Sequence, residues 1–137
     1  MRILIVNDDG VNAKELIPLI QWCRKLGEVT AFVPKYEQSG KSHSCEIRKP
    51  FEVKEVELAP GVKVWTVDSS PADCVRVATL GFKRHFDLAI SGVNRGFNLG
   101  SDCMYSGTVG AATPAPAGRP STAGRRPRPF WPTPTPW

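Results

Sequence analysis

The pentapeptide RILIV at residues 2–6 restricts the fold more than any other stretch, and it runs without a break into Asn7-Asp8-Asp9-Gly10. After Arg2 it shows no polar alternation. A strand of that kind needs apolar cover on both faces, as a central strand of a parallel sheet has. Its carboxyl end then carries two adjacent acids. Their mutual repulsion and lost hydration are costly there, so something positive is expected to offset them.

The residues that follow continue the same pattern. Residues 13–26, AKELIPLIQWCRKL, predict a helix with Leu16, Ile20 and Cys23 on one face and Leu19 and Leu26 beside it. Pro18 falls in its first turns, where a missing N–H is tolerated, and Gly27 is expected to end it. EVTAFVP (28–34) predicts a second strand, followed by the polar loop KYEQSGKSHS (35–44). EIRKPFEVKEVEL and VKVWTV predict antiparallel strands around the Pro60-Gly61 turn, although Phe51, Val53 and Val56 alternate imperfectly. SPADCVRVATLGF (70–82) predicts a helix with Ser70 as N-cap, Pro71 at the first position and Asp73 in the first turn. FDLAIS (86–91) predicts a short strand, 92–104 a loop rich in Gly and Asn, and SGTVGAA (106–112) the start of a helix.

This order implies an α/β fold: three-layer α/β/α, Rossmann-like, with a mostly parallel sheet and a β-hairpin excursion. Ligands of such folds bind at the carboxyl ends of the strands. NDDG, YEQSGKSHS and SGVNRGFN therefore share one rim.

Residues 113–137 break the pattern. They hold eight of the 13 prolines, four arginines (Arg119, Arg125, Arg126 and Arg128) and no acid. They also lack Leu, Ile and Val, so they cannot build a core and read as disordered or polyproline-II-like. The change comes after Ala112, inside a helix that has begun to bury its apolar face. A shifted reading frame or an artificial join fits this better than a natural linker, and the domain is expected to be truncated after residue 112, with apolar surface left exposed.

The formal net charge of +5 comes mostly from that tail. The near-neutral body gives no reason to expect a nucleic-acid polymer as partner. Four cysteines without a C-x-x-C pair, and only two histidines, argue against a zinc cluster or a disulfide framework and fit a reducing, cytoplasmic setting. No apolar run approaches the roughly 20 residues of a membrane span, and nothing resembles a signal peptide.

Several rim residues could carry chemistry. Asp8 and Asp9 either cap the next helix and turn at Gly10, or splay around one hard cation such as Mg²⁺ or Mn²⁺. Ser39 lies in QSGKS, which is either a solvated turn or part of a site; the spacing of a P-loop is absent. Asn94 and Asn98 in SGVNRGFN offer amide oxygens to a cation and N–H donors to a phosphate, or simply form an Asn/Gly turn. Ser106, Gly107 and Thr108 begin a helix, as an ordinary cap or as an anion cradle. His43 reads as a surface loop residue.

ILIVNDDG (3–10), QSGKSHS (38–44), SSPADCV (69–75), SGVNRGFNLG (91–100) and YSGTVGAA (105–112) together resemble the survival protein SurE family of nucleotidases. The resemblance implies divalent-metal-dependent removal of phosphate from nucleoside 5′- or 3′-monophosphates. It implies one Mg²⁺ or Mn²⁺ held by Asp8, Asp9, Ser39 and Asn94. Phosphate contacts would come from Asn98, Ser106, Gly107 and Thr108. Asp8 and Asp9 would be the catalytic pair, with Asp8 close enough to the attacking water to act as base. Cytoplasmic homodimers or tetramers are implied as well. Ser69-Ser70 departs from the family's usual Gly-Thr but keeps a hydroxyl cap. The family's second half is not recognisable in 113–137.

Two other classes compete. One is a phospho-accepting receiver module with Asp68 as acceptor, although Asp68 follows a hairpin and the SGVNRGFN loop has no counterpart there. The other is a non-catalytic nucleotide-binding α/β domain, which lacks the G-x-G-x-x-G that a dinucleotide site would need.

Overall fold

The computed structural model describes residues 1–113. The Pro- and Arg-rich stretch from 114 onward lies outside the described residues, and with it nearly all of the expected tail.

Among the described residues five strands, β1 (Arg2–Val6), β2 (Glu28–Pro34), β3 (Val53–Ala59), β4 (Val62–Val67) and β5 (Leu88–Ser91), form one sheet in the order β3-β4-β2-β1-β5. β1 pairs in parallel with β2 on one side and β5 on the other. β2 pairs in parallel with β4, and β4 pairs antiparallel with β3. The expected mostly parallel sheet with a hairpin excursion is therefore the fold.

The lack of alternation in β1 has its expected cause. Ile3 and Ile5 enter one core with Leu16, Ile20 and Cys23 of α1 (Leu16–Cys23). Leu4 and Val6 enter a second core on the opposite face, with Phe32, Cys74, Val75 and Ala111. That face is covered by α2 (Pro71–Arg76), which continues into a π-helical turn at Val77–Gly81, and by α4 (Gly107–Ala112). The sheet is thus sandwiched between helical layers. The irregular pattern in β3 has the same origin: Val53 packs into the second core, while Val56 and Leu58 pack into the first. A register shift between Glu57 and Ala59 then brings Ala59 to the first core too.

Several boundaries differ from expectation. The first helix is shorter than 13–26, because turns flank it on both sides. Gly27 does not end it. A Cβ on Gly27 would overlap the carbonyl oxygen of Met1, so glycine is needed there for close approach of two backbones. Residues 45–52 are not strand, and the loop after β5 contains one helical turn, α3 (Asp102–Tyr105). Ser70 caps α2 as expected, its hydroxyl accepting from the Asp73 N–H at 3.2 Å. Among the described residues β5 is an edge of the sheet, and Leu88, Phe97, Leu99, Met104 and Tyr105 are exposed.

Candidate functional site

The turn after β1 is built by Asn7. Its buried side chain donates to the Gly10 carbonyl at 3.0 Å and accepts from the Gly10 N–H at 3.2 Å. Gly10 sits at φ +82°, and a Cβ there would stand 2.9 Å from the carbonyl carbon of Tyr36. Glycine is required on both counts. The loop after β2 is stitched to this turn, with Val11 N–H donating to the Pro34 carbonyl at 2.9 Å and Gln38 N–H to the Asp8 carbonyl at 2.7 Å.

α4 closes on the turn from the other side. Thr108 Oγ1 donates to Asp8 Oδ1 at 2.5 Å, within a buried setting. A Cβ on Gly107 would lie 2.8 Å from Asp8 Cβ, so a larger residue would displace the carboxylate. Ser91 Oγ, at the end of β5, donates to the Thr108 carbonyl at 2.6 Å. Gly110 presses on the carbonyl of Ser42, whose own hydroxyl donates to the Met104 carbonyl at 2.7 Å. Asp8, Gly107 and Thr108 are thereby brought together at the carboxyl edge of the sheet. Ser106 is buried beside them and caps α4, accepting from the Val109 N–H at 3.2 Å.

Asp9 is in a different state. It is half-buried, and its Oδ2 is shielded from solvent with no hydrogen-bond partner. Burial raises its pKa above the ordinary value, and the Asp8 carboxylate adds to the rise. Arg95 opposes it, while Glu37 and Glu15 reinforce it more weakly. Arg95 is shared, its Nε lying 3.8 Å from Glu15 Oε2. Positive charge from the protein thus answers the acidic pair only in part. A bare carboxylate oxygen beside a second carboxylate fits a hard divalent cation, whose preferred donors are oxygens. A cavity of about 280 Å³ opens next to Asp9, with Asn12, Lys35, Tyr36, Glu37 and Arg95 among its lining residues.

The other expected residues lie on the same rim loops but are bonded within them. Ser39 is exposed and donates to Glu37 Oε1 at 2.9 Å. The Asn94 amide donates to the Gly96 carbonyl at 2.9 Å. The backbone carbonyl of Asn98 accepts from Cys103 Sγ at 3.0 Å. Neither Ser39 nor Asn94 hydrogen-bonds to the acidic pair. Among the described residues no three His, Cys, Asp or Glu side chains are grouped to hold a metal, so a cation here would draw on hydroxyl or amide donors besides the two acids. His43 is exposed, its Nδ1 lying 3.2 Å from Ser42 Oγ.

Glu37, Arg95 and Tyr36 carry no motif of their own, although all three fall inside the rim loops. Asp73 is more than the first-turn acid of α2. Asp73 is fully buried and accepts from Glu46 N–H at 2.7 Å, Ser69 Oγ at 2.6 Å and Arg76 Nη1 at 2.7 Å. The Ser70 hydroxyl donates to the Ser44 carbonyl. Together these bonds fasten the end of the QSGKSHS loop to α2. The signal was the run of hydroxyls beside a single acid in SSPAD.

Comparison with known proteins agrees with this architecture. The family described as "Survival protein SurE" matches residues 3–123. The 5′-nucleotidase SurE of Clostridium beijerinckii is 45% identical over 114 residues, covering 82% of this chain and 45% of the relative. That of Herpetosiphon aurantiacus is 48% identical over 113 residues, covering 82% and 44%. The crystal structure of the SurE protein from Aquifex aeolicus superposes with a TM-score of 0.72 at 32% identity, covering 86% of this chain and 47% of that one. The chain spans about half the length of the relatives it matches. With the family model matching most of its length, the chain belongs to the survival protein SurE family.

Proposed function

We propose that this chain carries a metal-dependent phosphomonoesterase site that hydrolyses nucleoside 5′- or 3′-monophosphates to nucleoside and phosphate. The observation that carries the reading is the unpartnered, buried Oδ2 of Asp9 beside Asp8 at the carboxyl edge of a parallel sheet. The names of the relatives, 5′-nucleotidases, support it. Asp8 and Asp9 would hold one Mg²⁺ or Mn²⁺, joined by Ser39 and Asn94 once these leave their present partners. Such an ion, when bound, polarises a phosphoryl oxygen and lowers the pKa of its bound water.

The chain's own groups supply the rest. Thr108 fixes the rotamer of Asp8 by donating to one oxygen, which leaves the other to accept a proton from attacking water. Asn98 and the start of α4, at Ser106, Gly107 and Thr108, would contact the phosphate and stabilise the charge that develops on it. Every residue in this reading falls within 1–112, the amino-terminal part of a SurE-like domain. A cytoplasmic setting and homo-oligomers, dimeric or tetrameric, belong to the same proposal; among the described residues no helix is long and apolar enough to cross a membrane. Asp68, the acceptor of the receiver alternative, is engaged by Lys35 at 3.8 Å, and family membership displaces that reading.

The test is release of inorganic phosphate from a nucleoside 5′-monophosphate with Mn²⁺ or Mg²⁺. Asp9→Asn should lower the rate about 100-fold or more. Release that persists in the variant would overturn the assignment. Nucleotide binding to the wild-type chain without release would favour the non-catalytic alternative.

A further inference from the structure

We propose that the cavity at the amino-terminal end of the sheet is a binding site for a phosphate-bearing anion, formed by Arg2, Thr30, Lys83 and Arg84 and separate from the acidic pair. The cavity measures about 400 Å³, within the roughly 300–1,000 Å³ typical of small-molecule sites. Arg2 opens β1, and Glu28 and Thr30 belong to the start of β2, so the cavity lies at the opposite end of the strands from Asp8 and Asp9. β1 alone puts about 13 Å between the two ends, at about 3.3 Å per residue. Among the described residues Glu28 is the single acid lining the cavity, against the cations of Arg2, Lys83 and Arg84. That excess of positive charge suits a doubly charged phosphoryl group.

Arg84 is the anchor, and the fold holds it at both ends. Its Nη1 donates to Thr30 Oγ1 at 3.3 Å. Its guanidinium carbon lies 5.7 Å from the centroid of the Phe82 ring, which itself packs edge-on against Phe32 and Trp65 at 5.4 and 4.6 Å between centroids. Its backbone N–H donates to the Ala78 carbonyl at 3.1 Å. A guanidinium stacked and bonded in this way loses little further freedom when it binds, and its remaining N–H donors match phosphate oxygens. Lys83 precedes it at φ +52°, in the left-handed region that residues other than glycine seldom occupy. Its exposed ammonium supplies a point charge that needs no fixed geometry. Arg2 is steadied by Asp87, whose Oδ2 accepts from the Arg2 N–H at 2.7 Å and lies 4.0 Å from its Nε. Asp87 offsets part of the Arg2 charge, so Arg84 and Lys83 carry most of the attraction.

The test is NMR titration of the full chain, in chelator, with inorganic phosphate and, separately, with glycerol 3-phosphate; sodium chloride at matched ionic strength is the control. Amide shifts at Thr30 and residues 83–86 read this cavity, and phosphate taken up at the start of α4 or by the arginines between 119 and 128 registers elsewhere. Both anions should saturate these shifts in the wild type. Arg84→Gln should weaken the binding about 10-fold or more. Lys83→Gln, which leaves the Thr30 and Phe82 contacts in place, should weaken it about two- to fivefold, and Glu28→Gln should tighten it by a similar factor. Tighter binding of glycerol 3-phosphate would assign the site to phosphate esters, and equal binding to free phosphate. Absence of saturable shifts in the wild type, their reproduction by chloride, or equal binding by Arg84→Gln and Lys83→Gln would overturn the proposal. The readout needs neither metal nor turnover, so it stands apart from the phosphomonoesterase reading.

Discussion

Thr108 Oγ1 donates to Asp8 Oδ1 at 2.5 Å, joining residues 100 positions apart in the chain. This contact ties the last described helix to the turn after the first strand. It also separates the roles of the acidic pair: one oxygen of Asp8 is held by the Thr108 hydroxyl, while Asp9 is left with an unpartnered, buried oxygen.

Thr108→Val removes the hydroxyl at nearly constant volume and leaves a buried carboxylate oxygen without its donor. The expected loss is about 1.5–3 kcal/mol of unfolding free energy, as for a hydrogen bond to a charged group. Thr108→Ser should recover most of it. Urea denaturation of the three proteins checks this.

Asp9 binds its proton more tightly in the folded chain than in the unfolded one, because burial and Asp8 raise its pKa. The stability it contributes is present below the usual carboxylate pKa and is lost as pH rises through the raised value. In chelator at neutral pH, Asp9→Asn should therefore melt at a higher temperature than wild type. The difference should shrink as pH falls through the carboxylate range. Thermal melts at a series of pH values decide it.

The same variant should lose its advantage when metal is added. A cation that binds only the folded wild type at 100 times its Kd adds about 2.7 kcal/mol. Mn²⁺ or Mg²⁺ should raise the wild-type melting temperature and leave that of Asp9→Asn unmoved.

Gly110→Ala sets a Cβ into the carbonyl of Ser42, a backbone group that cannot swing away. Overpacking of this kind costs about 1–3 kcal/mol, and here it should also loosen the clamp on Asp8. Gly81→Ala, whose nearest neighbour would be Val77 Cγ1 at 3.9 Å, is the matched control and should be near neutral or slightly stabilising. Denaturant midpoints of the pair, with the Thr108 hydroxyl resonance as a local probe, provide the comparison.

Asp73→Ala removes a fully buried acceptor of hydrogen bonds from Glu46 N–H, the Ser69 and Ser70 hydroxyls and Arg76. The cost should reach about 3 kcal/mol or more. Faster amide exchange at Glu46 would show that the loop has come free of α2.

Much of the fold was readable because its signals are local. An unbroken apolar run such as Ile3–Val6 admits few environments other than the middle of a covered sheet, and Ser70-Pro71 with Asp73 marks a helix start by cap chemistry alone. What escaped depends on contacts between distant segments. Gly27 looked like a helix stop, but it is glycine because the Met1 backbone passes against it. Val53 and Val56 looked like a faulty alternation, since nothing local reveals that both faces of β3 are covered. In the candidate site, the acids and the loops on the rim could be named from the sequence. The division of labour between Asp8 and Asp9 could not, because Thr108 approaches from a helix and Arg95 from a loop far along the chain.

The most direct test of the central claim is calorimetric titration of Mn²⁺ into the folded chain and into Asp9→Asn. Uptake of one ion per chain by the wild type and none by the variant is expected. A well-folded wild type that takes up no ion, or a variant that takes up as much as the wild type, would contradict it.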